Sequence, residues 1–254
     1  MTAYDFRTPR LYLEASLKAG AALSLDRART NYLVNVLRRR AGDPVLVFNG
    51  RDGEWRARLD GSGRKGVSVV VLERARPQTA AGDLHYLFAP LKQARLDYLV
   101  QKAVELGVSR LEPVLTRHGQ VARVNLDRVR ANAIEAAEQC GVLNLPEIVA
   151  PIALDKLIAR WIPERLIVFC DEEAPVHDPV AVLEQARDST PALLGPMPVS
   201  VLIGPEGGFS DDERAAVLKL PNLVRLSLGP RVMRADTAAV AALALVQATL
   251  GDWR

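Results

Sequence analysis

The tightest constraint on this chain lies near its end. Residues 199–213 (VSVLIGPEGGFSDDE) and 224–238 (VRLSLGPRVMRADTA) share one form. An apolar, β-branched run stops at a glycine-rich turn, and a helix start follows. Val199, Val201, Leu202 and Ile203 read as a buried strand. Gly204-Pro205-Glu206-Gly207-Gly208 breaks it, and Ser210 with Glu213 makes a capping box for the next helix. Val224, Leu226 and Leu228 alternate as a second strand, which Gly229-Pro230 ends. Two such units this close place two loops at the carboxyl edge of one sheet, where open α/β sheets bind ligands.

The helix that follows, Thr237–Leu250, is apolar nearly all round. Such a helix is buried, in the core or against a second subunit. The apolar run Ala238–Leu250 is too short to span a bilayer and is interrupted by Gln247. No membrane association is expected. The opening residues MTAYDFRTPR contain no apolar signal core. Cys140 and Cys170 lack metal spacing and read as reduced thiols of a cytosolic protein. His85, His118 and His177 form no ligand pair, so no metal site is expected.

Upstream the pattern differs. Leu11-Tyr12-Leu13 is a strand candidate, and Leu25–Leu37 has helical spacing before the cluster Arg38-Arg39-Arg40. Pro44–Phe48, Glu54–Leu59 and Val67–Leu72 are strands joined by Asn- and Gly-rich turns, including residues 61–66. Residues 1–73 therefore predict a small β-barrel-like domain with one helix. Residues 1–76 carry 15 Lys/Arg against 8 Asp/Glu, whereas residues 77–254 carry 18 against 22. A basic front and a mildly acidic back suggest that the front meets a polyanion. Arg56 and Arg58 share one strand face. With Arg7, Arg10, Arg38 and Arg40 they are candidates to line a phosphate-binding surface, though about half of such arginines are expected to be merely solvated.

Residues 74–83 read as a polar linker. Beyond it strands alternate with helices: strand Leu84–Ala89, helix Leu96–Leu106, strand Leu111–Leu115, and helix Leu126–Cys140 with Asn125 as its N-cap. Extended Glu147–Val149, short helix Leu154–Trp161, strand Leu166–Cys170 and helix Pro179–Ala186 follow. A proline-rich loop over residues 188–198 leads to the two final units. This alternation predicts a mainly parallel sheet, residues 84–254, covered on both faces.

The two loops carry the candidate chemistry. Gly207 and Gly208 let a ligand approach backbone N–H groups closely. Neither GxxxxGK[ST] nor GxGxxG is present. On spacing alone the loops are a ligand cradle or two plain turns. Arg231 and Arg234 flank Met233 in an apolar region beside a helix start. They await negative charge there, or else pair with Glu206 and Asp236 as structural bridges.

Together these residues resemble one family. Leu202–Ser210, then Leu226-Ser227-Leu228-Gly229-Pro230-Arg231-Val232-Met233-Arg234 and Asp236-Thr237-Ala238, are similar to the RsmE family. Its members methylate uridine at N3 in small-subunit (16S) ribosomal RNA, within the SPOUT superfamily. Val36-Leu37-Arg38, Lys92, Gln101–Val108 and Ala136–Gln139 carry the likeness across most of the chain. Asp236 departs from it, standing where a glutamate is usual, and Val232-Met233 replaces Ile-Leu.

The resemblance implies a PUA-like β-barrel at residues 1–73 and a SPOUT methyltransferase domain at 84–254 with a C-terminal trefoil knot. It further implies a homodimer and bound S-adenosylmethionine. Carried over by position, the cofactor residues are Leu202, Ile203, Gly204, Pro205, Glu206, Gly207 and Gly208 in the first loop. In the second they are Leu226, Ser227, Leu228, Gly229, Arg231, Val232 and Met233, with Thr237 beyond. Lys92 and Arg95 join the candidate RNA contacts.

The chemistry asks for particular side chains. A sulfonium methyl is already activated, so positioning dominates. Uridine N3 must lose a proton, which calls for a base or for donors to the resulting anion. Arg234 is the first candidate for that anion or for an RNA phosphate, Glu206 for orienting or accepting the proton, and Arg231 for RNA or fold. The expected partner is 16S ribosomal RNA in an assembled small subunit, in the cytoplasm. Two rivals stand beside this reading: a non-catalytic RNA-binding protein, and a SPOUT methyltransferase acting on another RNA position.

Overall fold

The computed structural model describes residues 5–61, 66–121, 123–175, 178–189 and 196–253. His177, most of the turn at 61–66 and residues 190–195 of the proline-rich loop lie outside the described residues. The chain divides into two compact units. The first comprises Met1–Ala80 with Ala137–Leu145, and the second Ala81–Ala136 with Pro146–Arg254.

The first unit is built on a sheet of β1 (Arg10–Tyr12), β2 (Ala22–Ser24), β3 (Pro44–Phe48), β4 (Glu54–Asp60) and β5 (Ser68–Arg76), in the order β1-β3-β4-β5-β2. Alternation decides its faces. Along β4, Ala57 and Leu59 are buried while Arg56 and Arg58 face solvent. The inward side chains join Leu11, Leu33, Val45, Val47, Val69 and Val71 in one core.

Three details differ from the sequence expectation. β2 has only three residues, too short to show a period. The expected helix at 25–37 is one turn, α1 (Arg27–Asn31), capped by Asp26, followed by a π-helical turn over Tyr32–Val36. The strand expected to end at Leu72 runs on to Arg76, into the expected linker, because Arg76 pairs with Glu54 across the ladder.

Segment 137–145 is held in this unit by a buried polar cluster. Arg10 Nε donates to Glu54 Oε1 at 2.6 Å. Its Nη1 donates to the carbonyls of Ala137 and Glu138, and its Nη2 to that of Val142. Arg76 grips the other side of Glu54 and also reaches the Gly141 carbonyl. Four backbone acceptors are thus paired with guanidinium donors.

The second unit follows the alternating pattern. β6 (Leu84–Phe88), α2 (Gln93–Glu105), β7 (Arg110–Leu115), α3 (Leu126–Cys140, in this unit as far as Ala136), β8 (Glu147–Ile148), β9 (Ile152–Ala153) and α4 (Leu154–Ala159) come first. β10 (Leu166–Cys170), α5 (Pro179–Asp188), β11 (Val199–Ile203), α6 (Asp211–Val217), β12 (Leu223–Leu226) and α7 (Ala235–Thr249) complete it. The sheet order is β12-β10-β11-β6-β7-β8, with β9 on β7, and every pairing is parallel. One face packs Leu87, Ile167, Phe169 and Leu202 against Leu157 of α4 and Val217 of α6. The other carries Tyr86, Phe88 and Val201, with α7 over β11. Gln247, the break in the apolar run of α7, is buried because its amide donates to the Leu106 carbonyl at the end of α2, at 2.6 Å.

Strand order reverses at β11, which lies between β6, the first strand of this sheet in sequence, and β10. At such a point adjacent loops diverge and leave a crevice beyond the carboxyl ends.

Candidate active site

That crevice is a cavity of about 470 Å³. Three loops line it, following β10, β11 and β12. Two were expected. The third, Cys170–Glu173, was not singled out, although Leu166–Cys170 reads plainly as a buried strand and the carboxyl-edge rule applies equally to it.

Each loop has a local cause. In the β11 loop the Phe209 ring folds back over Gly204, where a Cβ would lie 2.5 Å from the ring. Phe209 also packs edge-on against Phe169, centroids 5.3 Å apart, which pins the loop to the core. Gly208 has φ +67° and faces Glu172, whose Oε1 would lie 2.7 Å from an added Cβ. Ser210 and Glu213 form the expected capping box. Glu213 also accepts from the Arg117 backbone N–H at 2.7 Å, and His118 Nδ1 lies 3.1 Å from the Gly207 carbonyl. The loop after β7 thus props the β11 loop from outside.

The β10 loop is fixed by a buried carboxylate. Asp171 accepts from Arg214 through Nε and Nη2, both at 3.1 Å, from Arg225 Nε at 2.8 Å and from the Glu173 backbone N–H. Burial pushes its carboxyl up, but these bonds, Arg214 foremost, outweigh burial and hold it below its usual range. Glu173 pairs with Arg214 at 3.1 Å. Glu172 has no partner among the described residues. Burial pushes the Cys170 thiol up to about 12, so it stays protonated on the cavity wall.

Most expected cofactor residues line this cavity: Ile203, Gly204, Pro205, Glu206 and Gly208 from one loop, and Leu226 through Gly229 with Arg231, Val232 and Met233 from the other. Leu202 points into the core, Gly207 backs onto His118, and Thr237 is exposed beyond the lining. Phe209, Pro230, Ala235 and Ala238 line it unforeseen.

The charged candidates separate clearly. Arg231 and Arg234 are exposed at the cavity and make no hydrogen bond or ion pair among the described residues. The bridges weighed for them do not form. Glu206 accepts from Arg95 Nη1 at 2.9 Å, and Asp236 accepts from the Thr237 backbone N–H. Both arginines are exposed, so neither is a buried charge needing a partner. What marks them is that they stand at the mouth of a cavity with no partner among the described residues.

Of the arginines expected to meet RNA, Arg7, Arg38, Arg40, Arg56 and Arg58 are exposed. Arg10 is buried and committed to Glu54 and three carbonyls. Its charge was legible in sequence; its inward direction was not. Lys92 is exposed, and Arg95 is engaged by Glu206.

A parallel sheet with a cavity at its carboxyl-edge switch, in a chain that also carries a separate small β unit, defines a class. A model of an RNA methyltransferase domain matches residues 78–247, and a model of an RNA methyltransferase PUA domain matches residues 25–72. The chain belongs to the RNA methyltransferase family. Among its relatives is ribosomal RNA small subunit methyltransferase E of Rickettsia conorii, 28% identical with 94% of each chain covered. The RsmE likeness read from the loops agrees with this. The protein of that name from Neisseria gonorrhoeae, solved bound to S-adenosylmethionine, superposes with TM-score 0.81 at 25% identity, covering 98% of this chain and 100% of that one. A Legionella pneumophila protein solved with bound S-adenosylmethionine gives TM-score 0.80 at 30% identity, covering 95% and 98%.

Proposed function

We propose that this chain methylates a uridine at N3 in small-subunit (16S) ribosomal RNA, with S-adenosylmethionine as donor. The observation that carries the reading is the three-loop cavity with two arginines at its mouth that have no partner among the described residues. The cavity suits the cofactor in size and lining. Its volume falls within the range of small-molecule sites, and apolar Ile203, Leu226 and Ala238 stand beside polar loop backbone. Gly229, with φ +97° and nothing within 4 Å of an added Cβ, leaves its backbone open to a ligand. When bound, the cofactor supplies an activated methyl group.

The residues of the chain then have three tasks. The β11 and β12 loops hold the donor and exclude water. Arg234, with Arg231 beside it, offers guanidinium donors to the anion that forms on uridine O2 and O4 as N3 loses its proton. Glu206, oriented by Arg95, faces the same space and positions the base or receives that proton. The exposed arginines Arg7, Arg38, Arg40, Arg56 and Arg58 hold RNA phosphates, with affinity that falls as salt rises. The assembled small subunit in the cytoplasm is the substrate in this reading. The trefoil knot and a homodimer are parts of it too. Half-exposed Val240, Ala241, Ala244 and Leu245 on α7 support a subunit contact there.

Mass spectrometry of ribosomal RNA nucleosides tests the proposal. Cells lacking the protein should lose 3-methyluridine from 16S RNA, and the wild-type chain should restore it. Unchanged 3-methyluridine in those cells would refute it.

A further inference from the structure

A second cleft, of about 250 Å³, lies on the same unit against the start of α2. Leu91, Leu96, Val124 and Val129 wall it, and Lys92, Arg123 and Arg128 line it with them. Arg128 is held in a fixed plane. Its Nε donates to Asp97 Oδ1 at 3.0 Å and its Nη2 to Asp97 Oδ2 at 2.5 Å. Asn132 Nδ2 donates to Asp97 Oδ1 at 2.6 Å and locks the carboxylate in turn. These bonds, Arg128 foremost, hold the Asp97 carboxyl below its usual range. The Arg128 side chain nonetheless stays 51% exposed.

A planar cation gripped along one edge, half open to solvent and beside an apolar wall, is a platform on which a nucleobase stacks. Lys92 and Arg123 have no partner among the described residues, so two cations stand free for phosphates. Against these three positive groups the cleft sets one carboxylate, Asp97, already engaged. The cleft is also tied to the active-site cavity. One turn along α2 from Lys92, Arg95 reaches Glu206 in the β11 loop, so a single helix end serves both hollows.

We propose that this cleft is a second nucleotide subsite. It takes an unpaired base of the RNA substrate on the Arg128 plane and the adjoining phosphates on Lys92 and Arg123. Holding a nucleotide near the target would present an extruded uridine to the cavity. The inference rests on the RNA methyltransferase reading given above.

Two substitutions in the full chain test it, with small subunits lacking 3-methyluridine as substrate. Arg128→Lys keeps the charge and loses the plane. Arg123→Glu reverses an exposed charge that makes no hydrogen bond or ion pair among the described residues. Arg128→Lys should raise the KM for RNA about tenfold, the worth of one stacked base. Arg123→Glu should raise it as well and flatten the log–log salt dependence of RNA affinity by about 0.7, the share of one single-strand phosphate contact. S-adenosylmethionine affinity by calorimetry should match the wild type in both. A purely structural Asp97–Arg128 pair would instead lower the melting temperature of Arg128→Lys and leave the KM of Arg123→Glu unchanged. A wild-type KM in Arg123→Glu overturns the subsite. A wild-type chain that methylates no RNA overturns the functional reading itself.

Discussion

Asp171→Asn is the most informative single change, because one carboxylate shapes both the fold and the cavity. In the native chain Asp171 is buried and accepts from Arg214, Arg225 and the Glu173 backbone N–H. Asparagine fills the same space but removes the charge and replaces one acceptor oxygen with an N–H₂ facing a guanidinium. Breaking a fully buried ion pair costs about 3–5 kcal/mol. Here Arg214 and Arg225 keep 24% and 30% side-chain exposure and can turn partly to water, so about 2–3 kcal/mol is the fitting figure. For a chain of this size that lowers Tm by roughly 5–10 °C. Urea titration and calorimetric melting at pH 7 would measure it. The depressed carboxyl sets the pH dependence. Its stabilisation is full above the unfolded carboxylate value, about 3.9, and is lost as pH falls through the lower folded value. The difference between wild type and Asp171→Asn should therefore shrink below about pH 4. A loss under about 0.5 kcal/mol at pH 7, or a difference independent of pH, would refute the reasoning.

Other changes probe other links. Arg234→Ala should lower methylation about 10²–10³-fold with cofactor affinity nearly intact; unchanged single-turnover rates would remove Arg234 from the chemistry. Arg10→Met should destabilise the first unit by about 3–5 kcal/mol, since Glu54 loses one of its two arginines and three carbonyls lose their donor; urea unfolding followed by Trp55 fluorescence reads it. Gly208→Ala places a Cβ at φ +67° against Glu172 and should cost about 1 kcal/mol while weakening cofactor binding, measured by melting and calorimetry. Burial first, then Arg165, pushes His85 down to about 4 against an opposing pull from Asp83. The unfolded chain therefore binds a proton there that the fold does not, and stability falls as pH drops from about 6.5 towards 4. His85→Gln should flatten that part of the urea-midpoint profile.

Local pattern made much of this architecture readable. β3, α3, β10 and β11 fall where hydrophobic period and turn residues put them, because each is long enough to show a period and is bounded by Gly, Pro or a cap. The shorter pieces escaped: three residues at β2 carry no period, and β9 pairs with β7 over two residues only. The glycine-rich loops were legible because a glycine beside Phe209 or at positive φ admits few other residues.

What the sequence determined by itself was the alternation of strands and helices, the two glycine-rich loops and, through the motifs in them, the family. Those are local properties, set by period, turn chemistry and residue type. Only the tertiary structure decided which charges belong together. It turned Arg10 inward to Glu54, gave Glu206 to Arg95, and left Arg231 and Arg234 at the cavity with no partner among the described residues. It also brought the loop after β10 to the other two, because parallel strands far apart in sequence become neighbours in the sheet. An arginine has the same sequence signature whether it bridges, stacks or waits for a phosphate. Its role is set by what lies within hydrogen-bond reach, and that is a property of the folded chain.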